Sequence, residues 1–159
     1  VLARIRADLR DLPPDQANRE LARAIGIELD KGLGSCLLRS PDLANIVQRS
    51  ILQDHEVHYR LHAWVVMPNH VHCLLTPLAS TPIGMIVQRL KGSTAQKINK
   101  ALGRTGSVWQ RDYFDRSMLD QTHFRRTMEY IEWNPVKAKL CDDPLAWPFS
   151  SARWEGREP

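Results

Sequence analysis

Two histidines separated by one valine, His70 and His72, are the first residues in this chain whose types and spacing could do chemistry. Side chains two apart on an extended strand share a face, with Cα atoms roughly 6.6 Å apart, so the two imidazoles would project together. A parallel pair of imidazoles can converge on one divalent cation. The same spacing also suits two strand histidines that merely face solvent, and on its own it leaves both readings open. Val71, Cys73 and Leu75 would point the other way, into a core.

A second constellation follows Asp120. Tyr130 and Asn134 are four residues apart and share a face of any helix that spans them, with His123, Arg126 and Thr127 on or near that stripe. Phe124, Met128 and Ile131 form the opposing apolar stripe. A tyrosine beside an amide and an arginine is placed to meet a phosphate; otherwise it is a surface ring packed at a domain edge. Tyr113, in WQRDYFDR, is a rival nucleophile, but it falls in a segment expected to be extended and has no amide at helical spacing. His58 and His62 share a strand face, and pairing Met67 with His70 would put that face opposite His70 and His72. They and His55 are therefore read as structural or surface residues.

The elements that must position these groups follow from pattern and composition. A chain of 159 residues, 43% hydrophobic and 25% charged, reads as one globular domain over 1–159. No apolar run approaches the ~20 residues of a membrane-spanning helix. Val1–Arg10 lacks the apolar core of a signal peptide. Cys36, Cys73 and Cys141 are distant and odd in number, with no CxxC pair, which argues against a disulfide scaffold or a cysteine-rich zinc module and suits a reducing cytoplasm. Between Arg89 and Arg126 lie nine basic and three acidic residues, net +6 in a chain of net +4. Such a basic third suits a polyanion partner through phosphate contacts, or else a solvated helix face.

Val1, Ala3, Ile5, Ala7 and Leu9 alternate with mostly charged neighbours, predicting a strand. Asp15 opens a helix predicted to run to about Lys31 along Leu21, Ile25 and Leu29, closed by Gly32 and Gly34. Ser40-Pro41 starts another helix. Val57–Met67 and the HVHCLLT run predict an antiparallel hairpin, whose Pro68 cannot take the positive φ of a type I′ turn. Ser80-Thr81-Pro82 opens a long basic helix ending near Gly103. An extended aromatic segment covers Val108 to about Leu119. Asp120 or Thr122 caps the last long helix, predicted to be interrupted at Asn134-Pro135 and followed by a short helix to Leu140. The order predicts an α+β sandwich on an antiparallel sheet.

AWVVMPNHVHCLLTP, then VWQRDYFDR, then EYIEWNPVKAKL with WPFSSAR, resembles the REP-associated tyrosine transposases of the single-tyrosine HUH endonuclease superfamily. The similarity runs from roughly Arg60 to Arg153, and GLGSCLLR over Gly32–Arg39 also looks familial. Three spaced blocks in the right order make the resemblance specific, while Val1–Leu12 is less well matched.

The resemblance implies a ferredoxin-like antiparallel sheet flanked by helices. It implies that His70 and His72 bind a divalent metal, Mg²⁺ or Mn²⁺, that Asn134 is a third ligand, and that Tyr130 is the nucleophile. The expected substrate is single-stranded or hairpin DNA, cut through a 5′-phosphotyrosine and rejoined without ATP. Arg89, Lys91, Lys97, Arg111, Arg116, Arg125 and Arg126 are the expected backbone contacts, and Trp109, Tyr113 or Trp133 could stack bases. The resemblance implies DNA as the partner, no membrane, and a monomer or homodimer as the expected assembly. Two other classes stay open: a DNA-hairpin-binding protein that no longer cuts, and an HxH metal-dependent hydrolase. The second suffers because a third alternating histidine would fall at Leu74.

Overall fold

A computed structural model describes residues 24–29, 36–78 and 81–154. Four strands, β1 (Ile25–Leu29), β2 (Tyr59–Val66), β3 (Val71–Pro77) and β4 (Tyr113–Ser117), form one antiparallel sheet in the order β2-β3-β1-β4. Three long helices accompany it: α1 (Pro41–Gln53), α2 (Ile83–Ala101) and α3 (Gln121–Lys137). This is the ferredoxin-like α+β arrangement expected from the resemblance. The β2–β3 hairpin closes with Met67 N–H donating to the His70 carbonyl at 2.8 Å. Neither Pro68 nor Asn69 has positive φ, so the connection is not a type I′ turn.

Strand alternation sends side chains to two different cores. Ile27 and Leu29 of β1 and Val71, Cys73 and Leu75 of β3 pack with Val47 and Ile51 of α1 and Ile86, Leu90 and Ile98 of α2. Ala63, Val65 and Leu74 pack on the other face with Phe124, Met128 and Ile131 of α3. Helices α1 and α2 thus cover one face of the sheet and α3 the other. Each large apolar side chain so buried contributes about 1.5–3 kcal/mol, which fixes α3 and its outward stripe against the sheet. Asp120 caps α3 by accepting the His123 N–H at 2.8 Å.

Three expectations are corrected. The stretch read as a helix reaching Lys31 is strand β1 over Ile25–Leu29. Ile25 and Leu29 fit both periods, but buried Ile27 lies on their face only in a strand. Next, α3 is not interrupted at Asn134-Pro135: it runs to Lys137 with Pro135 inside it, and Ala138 N–H still reaches the Asn134 carbonyl at 2.9 Å. Proline there removes one donor but leaves the succeeding turn intact. Lastly, a bulge between Leu61 and Ala63 turns His62 to the α3 face. Its Nε2 lies 2.9 Å from Thr76 Oγ1 and its ring is edge-on to Phe124. The predicted Val1–Leu9 strand, the first part of the following helix, and Gly32, Gly34 and Ser80 lie outside the described residues.

The WPFSS segment covers the outer edge of β2. Val66 N–H donates to the Phe149 carbonyl, Trp147 Nε1–H donates to the Val66 carbonyl, and Val65 bridges Ser150. The buried Ser151 hydroxyl accepts from Trp64 N–H at 3.1 Å and donates to Glu132 Oε1 at 2.8 Å, tying sheet, segment and α3 together. Ser151→Ala strips a partner from two buried groups and should lower unfolding free energy by about 1–3 kcal/mol in urea titration. A change below about 0.5 kcal/mol would contradict this role.

Candidate metal centre and tyrosine face

The β1–β3 register sets Glu28 directly opposite His72. Cross-strand partners share a face, so a carboxylate from one strand meets an imidazole from the next. His70, at the mouth of the hairpin, adds its ring edge-on to His72 with centroids 4.8 Å apart. The potential ligand atoms of Glu28, His70 and His72 all lie within 4.8 Å of one another. Asn69 Oδ1 lies 2.8 Å from His70 Nδ1. In the tautomer whose Nδ1 donates to that oxygen, Nε2 is the nitrogen that would act as a ligand.

Helix α3 brings Tyr130 to the same place. Its ring stands edge-on to His72, with centroids 5.7 Å apart, and the residue remains 48% exposed. Lys137, two turns later, sets Nζ 4.5 Å from the centre of the Tyr130 ring. Asn134 is buried one turn beyond Tyr130 on the uninterrupted helix. Tyr113 is paired with Leu29, which packs toward α2, and its hydroxyl lies close to Gly84 of that helix. The two tyrosines therefore serve opposite faces of the sheet.

One carboxylate and two imidazoles form a mixed oxygen and nitrogen donor set. It fits a divalent ion such as Mn²⁺ well, and Mg²⁺ less naturally because Mg²⁺ prefers all-oxygen surroundings. Glu28 is absent from the residues expected from sequence, because reading its segment as a helix hides its place in the sheet.

The family model described as Transposase IS200 like matches residues 41–134, which include both histidines and Tyr130. The chain belongs to the IS200-like transposase family. A REP-associated tyrosine transposase of Escherichia coli (strain K12) is 28% identical over 94 residues, 58% of this chain and 54% of that one. An uncharacterized Haemophilus influenzae protein is 28% identical over 99 residues, 48% of this chain and 54% of that one. The chain thus spans about half the length of these relatives. A solved structure of a REP-associated tyrosine transposase bound to a REP hairpin superposes with a TM-score of 0.67 at 23% identity, covering 87% of this chain and 83% of that one. That likeness shows the shared fold.

Within this IS200-like domain the basic residues divide between the two faces. Arg116 of β4 and Arg126 of α3 line a groove beside Tyr130 and His72. Arg125 is half-buried on α3, and Arg111 is exposed ahead of β4. On α2, Arg89 Nε pairs with Asp54 at 3.1 Å and Lys97 Nζ donates to Ser50 Oγ at 2.9 Å. Lys91 donates to the carbonyls of Gln110, Arg111 and Asp112, which pins the loop that leads into β4. Trp109 is a core residue whose Nε1–H donates to Thr94 Oγ1, whereas Trp133 is 47% exposed.

Cys73 follows His72 directly but faces the other core, where burial pushes its thiol up to about 12. At pH 8 it is therefore protonated and shielded. Iodoacetamide should label exposed Cys36 in the native protein and reach Cys73 only after denaturation. Peptide mapping that finds Cys73 labelled at a rate like that of Cys36 would contradict the assigned strand face.

Proposed function

We propose that this IS200-like transposase domain is a metal-dependent endonuclease and strand transferase for single-stranded or hairpin DNA, acting through a 5′-phosphotyrosine. The observation that carries the reading is Tyr130 standing against His72 beside the Glu28, His70 and His72 donor cluster. The Tyr130 oxygen attacks the scissile phosphorus in line, and the bond from phosphorus to the 3′ oxygen breaks. The 5′ phosphate stays on tyrosine, and the proton lost by the phenol is balanced by one gained at the departing 3′ hydroxyl. Glu28, His70 and His72 would hold a divalent ion, which would supply neutralisation of the charge that develops on the phosphate; Asn134, buried one turn beyond Tyr130, is the further ligand that the family resemblance implies. Because one phosphodiester is exchanged for another, the reverse attack by a 3′ hydroxyl rejoins strands without ATP.

Repetitive extragenic palindromes are the proposed substrates, supported by the E. coli relative and by the hairpin in the solved relative of like fold. Arg116 and Arg126 hold backbone on the tyrosine side. Arg111 and Arg125 extend the contacts at longer range, whereas Arg89, Lys91 and Lys97, expected from sequence to touch backbone, lie on the α2 side and are engaged by Asp54, loop carbonyls and Ser50. The reading places the protein in the cytoplasm, as a monomer or homodimer; among the described residues, no helix is long and apolar enough to cross a membrane.

A hairpin with single-stranded flanks, labelled on the 5′-phosphate side of the cut and incubated with Mn²⁺, should yield a heat-stable, protease-sensitive covalent adduct on stopping in denaturant. Tyr130→Phe should abolish the adduct with less than about a threefold change in DNA affinity, while Tyr113→Phe retains it. Loss in Tyr113→Phe with retention in Tyr130→Phe would reassign the nucleophile. Binding without any adduct would favour the hairpin-binding class.

The division of charge predicts a second result. Neutralising Arg116 and Arg126 to Gln should lower the salt dependence of binding by about 0.7 for each phosphate no longer neutralised, whereas Lys97→Gln should barely move it. Equal effects measured by fluorescence anisotropy across salt concentrations would contradict the one-sided track.

A further inference from the structure

Helix α3 lies over β2 and β3 and leaves the same face of β1 and β4 largely uncovered. The result is a groove of about 340 Å³ leading away from His72 and Tyr130. Its floor is Gly26 of β1, where a Cβ would stand 3.4 Å from Met118 Cε and 3.6 Å from Thr127 Cγ2. A bulkier side chain would occupy that space. Period-two alternation along β4 turns Phe114 and Arg116 to this face, opposite Glu28 and Gly26 respectively. Phe114 is 63% exposed, an aromatic ring that the fold holds out on an edge strand beside the candidate centre. Arg126 contributes a second guanidinium from the α3 wall.

An exposed ring flanked by two guanidiniums matches the chemistry of single-stranded nucleic acid, where bases stack on aromatics and phosphates pair with cations. The volume lies at the lower end of the ~300–1,000 Å³ of small-molecule sites. That suits one nucleotide rather than a duplex. We propose that this groove is a subsite for one unpaired nucleotide adjoining the phosphate at Tyr130, with its base stacked on Phe114 and its phosphates on Arg116 and Arg126. The assignment rests on the reading that Tyr130 meets the scissile phosphate, and what it adds is Phe114 as the residue that holds the adjoining base.

The test uses hairpins whose single-stranded flank carries 2-aminopurine at one position at a time. One position near the cut should be quenched at least about twofold on binding. Phe114→Ala, a change at an exposed site, should remove that quench and weaken flank-dependent binding about tenfold, as expected for removal of one base stack. Phe114→Trp should restore both, and Gly26→Val should remove the quench by filling the floor. Tyr113→Phe should change neither. Unaltered quenching in Phe114→Ala, with the Tyr130 adduct still forming, would overturn the subsite and leave the proposed function standing. A quench that depends on Phe114, with no adduct ever formed, would support the subsite while removing the cleavage reading. Absence of any quenched position would overturn the subsite outright.

Discussion

The register between β1 and β3 is the constraint on which the site depends, because it alone sets Glu28 across from His72. A strand cannot slip by one residue without sending its apolar set to the wrong face. Here a slip would move Ile27 and Leu29 out of the α1/α2 core and carry Glu28 into it. The hydrophobic cost of that exchange therefore guards the polar constellation. The hairpin adds His70 through the Met67–His70 backbone bond, so two of the donors are fixed by hydrogen-bonded sheet and one by its closing turn.

The tyrosine reaches the site by a different route. Phe124, Met128 and Ile131 seat α3 on the sheet, and the Glu132–Ser151–Trp64 chain locks the same helix to the C-terminal segment. These contacts leave Tyr130 on the outward-facing stripe above His72. Since α3 covers only half of its face, the sheet surface of β1 and β4 beside Tyr130 is left open. Opposite, α2 commits Arg89, Lys91 and Lys97 to Asp54, loop carbonyls and Ser50. A charge count along the chain merges two surfaces that the sheet holds apart.

Much of this is legible in the sequence because the signals are local. HVH on a strand, the Asp120 cap and the spacing of Tyr130 from Asn134 each depend on a few adjacent residues. Sequence and structure part where one local pattern fits two periods or where pairing decides the outcome. Ile25 and Leu29 satisfy a helix as well as a strand, and the helix reading removes Glu28 from consideration. The bulge at Leu61–Ala63 exists only in the pairing of β2 with β3, so the face of His62 cannot be counted from either strand alone. Phe114 does not stand out beside Tyr113, because choosing between adjacent aromatics requires knowing which face of β4 meets the site. Pro135 carries its usual helix-breaking weight in the sequence, whereas burial against the sheet carries α3 through it.

The most direct test of the account is calorimetric titration of the protein with Mn²⁺ in the absence of DNA. One site per chain is expected, with affinity reduced about tenfold or more in each of Glu28→Gln, His70→Ala and His72→Ala, and with all three variants keeping the wild-type circular dichroism spectrum. Mn²⁺ binding by Glu28→Gln with wild-type affinity and stoichiometry would contradict the claim that the β1–β3 register builds the metal centre.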